Sequence, residues 1–162
     1  MSATDFIIPE WPAPLSVKAL VTTRQGGDSK PPFDSFNLAD HVGDNQAEVY
    51  KNRQRLRQYL PAEPAWLTQT HSNIVVNARQ VHSPINADGS FSNRINTVAV
   101  VLTADCLPVL VCNKLGSGVA ALHAGWRGLA NGIIELGIRQ LMAATDSKAE
   151  DILVWLGPAI GP

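Results

Sequence analysis

The sequence is poor in the features that mark several protein classes. It has only two cysteines, Cys106 and Cys112, too few for a disulfide scaffold. They lie six residues apart in a strand-turn-strand context, where reduced thiols are the simpler account. Charged residues make up 17% and the net charge is −1, so no basic surface points to nucleic acid or to a membrane. The densest basic stretch, Lys51-Asn-Arg-Gln-Arg-Leu-Arg57, reads as the solvated face of a helix. No apolar run is long enough to cross a bilayer. Met1-Ser-Ala-Thr-Asp5 lacks the basic and apolar regions of a secretory signal, and a cytoplasmic location is expected. There is no Walker glycine loop and no G-x-G-x-x-G, because Gly125-Trp-Arg-Gly128 is too short. Repeats and low-complexity tracts are missing as well.

What is present is ordinary globular material with a few pointed exceptions. At 162 residues and 45% apolar content, the chain can bury a sizeable core, and its length favours one domain over residues 1–162. Residues 17–23, 65–68, 73–81, 97–103, 107–113, 118–123 and 152–156 read as strands from alternation or β-branched runs. Asp44 or Asn45 caps a helix running to about Leu60, with Val49, Leu56 and Leu60 on its apolar side. Leu129, Ile133, Leu136, Ile138 and Leu141 space a second helix from Leu129 to about Ala144. Residues 83–90 read as a turn. The expected class is α+β or mixed α/β, with mixed β-sheets flanked by helices. The chain stops at Leu156-Gly-Pro-Ala-Ile-Gly-Pro162, an apolar turn rather than a polar tail, and a domain incomplete at its C-terminus is expected.

Three residues stand out. Cys106 and His123 border apolar runs and sit beside turn-forming residues, and His71 precedes Ile74-Val-Val76. Ligand-type side chains at strand ends are how such folds gather a site at one sheet edge. Two imidazoles and a thiolate suit Zn²⁺ with a fourth position open for water or substrate. The separations of 35 and 17 residues match no short metal-ligand motif, and each residue alone has an ordinary structural explanation. Cys112, inside Val109-Leu-Val-Cys-Asn113, reads as core. Asp105 is a candidate general acid/base, or the acceptor that fixes a ligating imidazole, or simply a turn residue. Arg127, four residues past His123, is a candidate anion contact or a surface ion-pair partner. A rival chemistry makes Cys106 a nucleophile, His123 its base and Asp105 the orienting carboxylate. A binding module built on a structural zinc is the non-enzyme alternative; of the remaining histidines, neither His41 nor His82 has a context that places it beside the trio.

Taken together, Asn37-Leu-Ala-Asp-His-Val-Gly-Asp44, Asn52-Arg53, Trp66-Leu-Thr-Gln-Thr-His71, Leu102-Thr-Ala-Asp-Cys-Leu-Pro-Val109, His123-Ala-Gly-Trp-Arg-Gly128 and the terminal Gly/Pro block resemble the YfiH-type family. That family is also called the multicopper polyphenol oxidase (laccase-domain) or DUF152 family. The resemblance spans essentially the whole chain. It implies a YfiH-like mixed α/β fold and a zinc site at His71, Cys106 and His123. It implies purine-nucleoside chemistry: phosphorolysis of adenosine, inosine, guanosine and methylthioadenosine, and deamination of adenosine. Purine nucleoside and phosphate are then the expected partners, with Asn37, Arg53, Gln69 and Arg127 as substrate contacts. Two other activities are attached to the family. One is a Cys/His amide hydrolase that edits peptidoglycan precursors, with Cys106 catalytic. The other is copper-dependent phenol oxidation, for which four histidines are few, although soft ligands also take copper. Family members continue past the terminal block. The family's Q-V-H-G is Gln69-Thr-His-Ser72 here, and its N-L-G is Asn37-Leu-Ala39.

Overall fold

A computed structural model describes residues 6–161. Backbone contacts gather them into two compact units, one of residues up to Pro9 with Ala19–Pro61, the other of Glu10–Lys18 with residues from Ala62 onward.

In the first unit, β1 (Phe6–Ile7) pairs antiparallel with β2 (Val21–Thr22). The helix α1 (Gln46–Arg57) starts at Asn45, whose side chain accepts a hydrogen bond from the Ala47 amide. Its interior-facing Asn52 is fully buried and organises the preceding loop. Asn52 accepts from the Asp28 amide and donates to the Ser29 hydroxyl and the Ser35 and Asn37 carbonyls, at 2.9–3.2 Å. The Asn52-Arg53 motif therefore has a structural job in its asparagine: a buried amide whose partners are all supplied.

The second unit carries a five-stranded mixed sheet in the order β3-β4-β6-β5-β7. Its strands are β3 (Val75–Asn77), β4 (Gly89–Ser92), β5 (Leu107–Asn113), β6 (Val119–Ala124) and β7 (Ile152–Leu156). Only β3 and β4 run parallel; the other three pairings are antiparallel. Two helices follow β6, α2 (Trp126–Ala130) and α3 (Ile133–Thr145). Ile133 and Leu141 of α3 bury against Val75, Val109, Val111, Ala120 and Leu122, which makes the core. No helix among the described residues is long and apolar enough to cross a membrane.

The mixed α+β class holds, and several local expectations do not. Residues 65–68 form no strand, Thr68 making only an isolated bridge to Asn86, and the strands expected over 17–23 and 73–81 shorten to Val21–Thr22 and Val75–Asn77. The single helix from Leu129 is two helices, because Gly132 takes a left-handed conformation at φ 81° that a right-handed helix cannot pass through. Residues 97–103 are not a strand. Within them Val98 makes an isolated bridge to Pro64, and both backbone groups of Leu102 are taken by the Gln69 side chain. The turn expected at 83–90 runs instead into β4, whose Gly-Ser-Phe-Ser sequence carries no apolar alternation to reveal it.

Leu122 is 0% exposed at the centre of this core. Leu122→Ala is expected to cost about 2–5 kcal/mol of stability. Urea unfolding checks this, and a loss below about 1 kcal/mol would show that β6 is not the core strand.

Candidate metal centre

The sheet register builds the site. Pro108 of β5 lies opposite His123 of β6, so Cys106, just before β5, meets Gly125, just after β6. His71 enters from the loop before β3. The ligand atoms of His71, Cys106 and His123 lie within 4.8 Å of one another. Cys106 Sγ is 3.8 Å from His71 Nε2, and the two imidazole centroids are 4.8 Å apart at 72°. A tetrahedral zinc with its usual bond lengths holds a sulfur and a nitrogen roughly 3.6 Å apart. The three side chains could therefore hold a metal ion with little movement. Gly125 makes this approach practicable: a Cβ there would lie 2.8 Å from His71 Cδ2 and 3.0 Å from Cys106 Sγ.

Asp88, immediately before β4, holds the group together and was not among the candidates from sequence. Its carboxylate is 0% exposed. It lies 2.8 Å from His123 Nδ1. A carboxylate can only accept, so Nδ1 carries the proton and Nε2 presents its lone pair to the cluster. The same carboxylate accepts from the Thr70, His71 and Ser72 amides and from the Ser72 hydroxyl at 2.7–3.1 Å. One side chain thereby fixes the tautomer of one imidazole and the backbone that carries the other. His71 needs this support, since its φ of 59° is left-handed. Burial pushes the Asp88 carboxyl up, but the Ser72 hydroxyl, the His123 ring and the Ser72 and Thr70 amides outweigh it and leave the pKa below its ordinary 3.8. A lowered carboxyl pKa stabilises the fold above that value and ceases to do so as the pH falls through it. Asp88 is thus a carboxylate at every pH near neutrality.

The other candidates fall out differently. Asp105 is exposed, and its carbonyl accepts from the Ile160 amide. The task of fixing a ligating imidazole, weighed above for Asp105, belongs to Asp88, because it is Asp88 that reaches His123. In the nucleophile arrangement, too, the carboxylate on His123 is Asp88. Gln69 donates to and accepts from Leu102 at 2.7 Å, which straps the His71 loop to the segment leading into Cys106. Both ends of its amide are engaged in this tether. Asn37 and Arg53 lie in the other unit. Asn37 closes a turn on Ala39 and donates to Asp44, and Arg53 donates to the Leu38 carbonyl and pairs with Asp40. Arg127 stacks 4.4 Å from the centroid of the Trp126 ring, and both are exposed. Cys112 is buried, as expected, and burial pushes its thiol up to about 11.

The family model for the multi-copper polyphenol oxidoreductase laccase matches residues 18–162. The chain belongs to that family. Within the laccase-domain family it is 49% identical over 98% of its length to a Shigella flexneri protein named purine nucleoside phosphorylase YfiH. It is 48% identical over 97% of its length to a purine nucleoside phosphorylase of Pseudomonas aeruginosa. The chain spans 65% and 63% of those two relatives. A Neisseria meningitidis crystal structure of the DUF152 family superposes with a TM-score of 0.89 at 44% identity, covering 96% of this chain and 63% of the other. YlmD from Geobacillus stearothermophilus superposes with a TM-score of 0.80 at 29% identity, covering 96% and 66%.

Three outcomes follow from this geometry. Asp88→Asn should weaken metal binding about 10–100-fold, the usual effect of removing a carboxylate behind a ligating histidine. Asp105→Asn should leave it unchanged. A chelator competition titration measures both, and equal affinities for wild type and Asp88→Asn would refute the role given to Asp88. Iodoacetamide on the metal-free folded protein should label Cys106 and spare Cys112, read by peptide mass spectrometry. Labelling of Cys112 at the same rate would show that the β5 strand opens.

Proposed function

We propose that this chain carries the metal centre of a purine nucleoside phosphorylase, with zinc held by His71, Cys106 and His123. The observation behind this reading is the convergence of those three ligand atoms around an Asp88-oriented imidazole. The names of the laccase-domain relatives supply the reaction. A zinc ion held by these three side chains would supply Lewis-acid chemistry toward phosphate, water or a ribose oxygen.

The chain's own residues then have distinct tasks. Asp88 keeps His123 in the ligating tautomer and holds the His71 loop. Cys106 would supply a sulfur ligand to the ion. Arg127, exposed on α2 four residues past His123, would offer a guanidinium for phosphate oxygens, and the exposed Trp126 ring a face for a purine. In phosphorolysis a phosphate oxygen bonds to ribose C1′ as the C1′–N9 bond breaks. The purine leaves with a proton, and ribose 1-phosphate forms. In adenosine deamination water adds at C6 and ammonia leaves. The exposed Asp105 carboxylate, next to Cys106, is positioned in sequence to move the proton in either case. The substrates proposed are adenosine, inosine, guanosine and methylthioadenosine.

The Cys106 Sγ to His71 Nε2 approach of 3.8 Å also favours a second reading, a thiol hydrolase in which Cys106 attacks an amide. Copper phenol oxidation has less support. Among the described residues the ligand cluster is a single three-residue set, which provides for one ion rather than several.

The decisive test is phosphate-dependent release of free purine from inosine, with zinc content measured on the same samples. Cys106→Ala and His123→Ala should each lose the metal and reduce turnover by about 100-fold or more. Retained zinc with full turnover in either variant would overturn the assignment. Cleavage of an amide substrate that survives a chelator but not iodoacetamide, with no phosphate-dependent purine release, would establish the hydrolase reading instead.

A further inference from the structure

The metal cluster occupies one edge of the sheet, where β3 and β4 begin. At the opposite edge, past their C-terminal ends, lies a separate groove of about 500 Å³. It is lined by Asn77, Arg79, Gln80, His82, Asn93 and Arg94. The two parallel strands create it: Asn77 pairs with Phe91, so the turns that follow each strand emerge side by side. Crevices beyond the carboxyl ends of parallel strands are where open sheets receive ligands.

We propose that this groove is a second anion site, which binds a phosphorylated small molecule through Arg79 and Arg94. Four observations carry the assignment. Every lining residue is polar, and none is acidic. Neither arginine side chain has an ion-pair partner among the described residues, in contrast to Arg24 and Arg55, which pair with Asp34 and Asp28. Backbone hydrogen bonds set the two arginines in place: the Arg79 amide donates to Asn77 Oδ1 and the Arg94 amide to the Ser92 hydroxyl. Finally, the net charge of −1 supplies no general attraction for anions, so any binding here is local.

Two guanidiniums without ion-pair partners are donors of the kind phosphate oxygens accept from, in bidentate hydrogen bonds. The volume lies within the range of small-molecule sites and exceeds what inorganic phosphate fills. The ligand class is therefore a phosphate ester of sugar or nucleotide size. If the chain forms a pentose 1-phosphate at the metal edge, that product belongs to the same class, though the groove's chemistry does not depend on that reading.

Isothermal titration of the intact chain with ribose 5-phosphate, and separately with inorganic pyrophosphate, tests this. Arg79→Gln/Arg94→Gln should weaken binding at least tenfold while leaving zinc content and phosphorolysis unchanged. Cys106→Ala should leave ribose 5-phosphate binding unchanged, which separates this groove from the metal edge and holds even if the phosphorolysis reading fails. Circular dichroism confirms that both variants fold. Binding that is lost in Cys106→Ala but kept in the double arginine variant would place the anion at the metal edge and overturn the proposal. So would the absence of measurable binding to the intact chain at millimolar ligand.

Discussion

The buried carboxylate of Asp88 is the interaction on which the site depends. It accepts hydrogen bonds from three successive backbone amides, one hydroxyl and one imidazole. A buried charge without partners would cost several kcal/mol; here every partner is supplied, and each partner is also part of the site. The pull on the Thr70, His71 and Ser72 amides curls the loop so that His71 turns toward Cys106. The pull on His123 Nδ1 turns Nε2 the same way. Electrostatics and geometry thus come from one group.

The sheet supplies the precision that a loop site would lack. His123 sits within β6 and is locked by pairing with Pro108 on one side, while its amide donates to the Asp88 carbonyl on the other. Cys106 is one residue from β5. His71 is the member of the cluster that lies in a loop, and it is restrained by Asp88 on its amide and by the Gln69–Leu102 tether two residues before it. The Gly125 backbone leaves the space that both His71 and Cys106 use. Elements with strong apolar patterning form the scaffold, and small or polar residues fill the spaces between them.

This division explains what the sequence made legible. Strands β5, β6 and β7 and helix α1 are long or strongly patterned, and their residues were readable from alternation, apolar runs and capping. Two members of the His71–Cys106–His123 cluster were legible as candidates because Cys106 and His123 border such runs, and the structure brings all three together. Strand β4 was not, because Gly89, Ser90 and Ser92 bury without hydrophobic side chains. Asp88 was hidden for the same reason: Ala-Asp-Gly-Ser reads as a turn, and nothing local shows that its carboxylate points inward. Asp105 is next to Cys106 in sequence, whereas the carboxylate that contacts His123 is Asp88, which is distant in sequence and near in space. Gln69 and Asn52 belong to motifs legible in the sequence, and both also tie backbone segments together, a role that only tertiary structure reveals.

The most direct measurement is metal content and coordination on the chain purified without added metal, by elemental mass spectrometry and X-ray absorption. The account predicts one zinc per chain with one sulfur and two imidazole nitrogens in its first shell and a light-atom ligand in the remaining position. A folded chain that holds no zinc, or a zinc whose shell lacks sulfur, would contradict it.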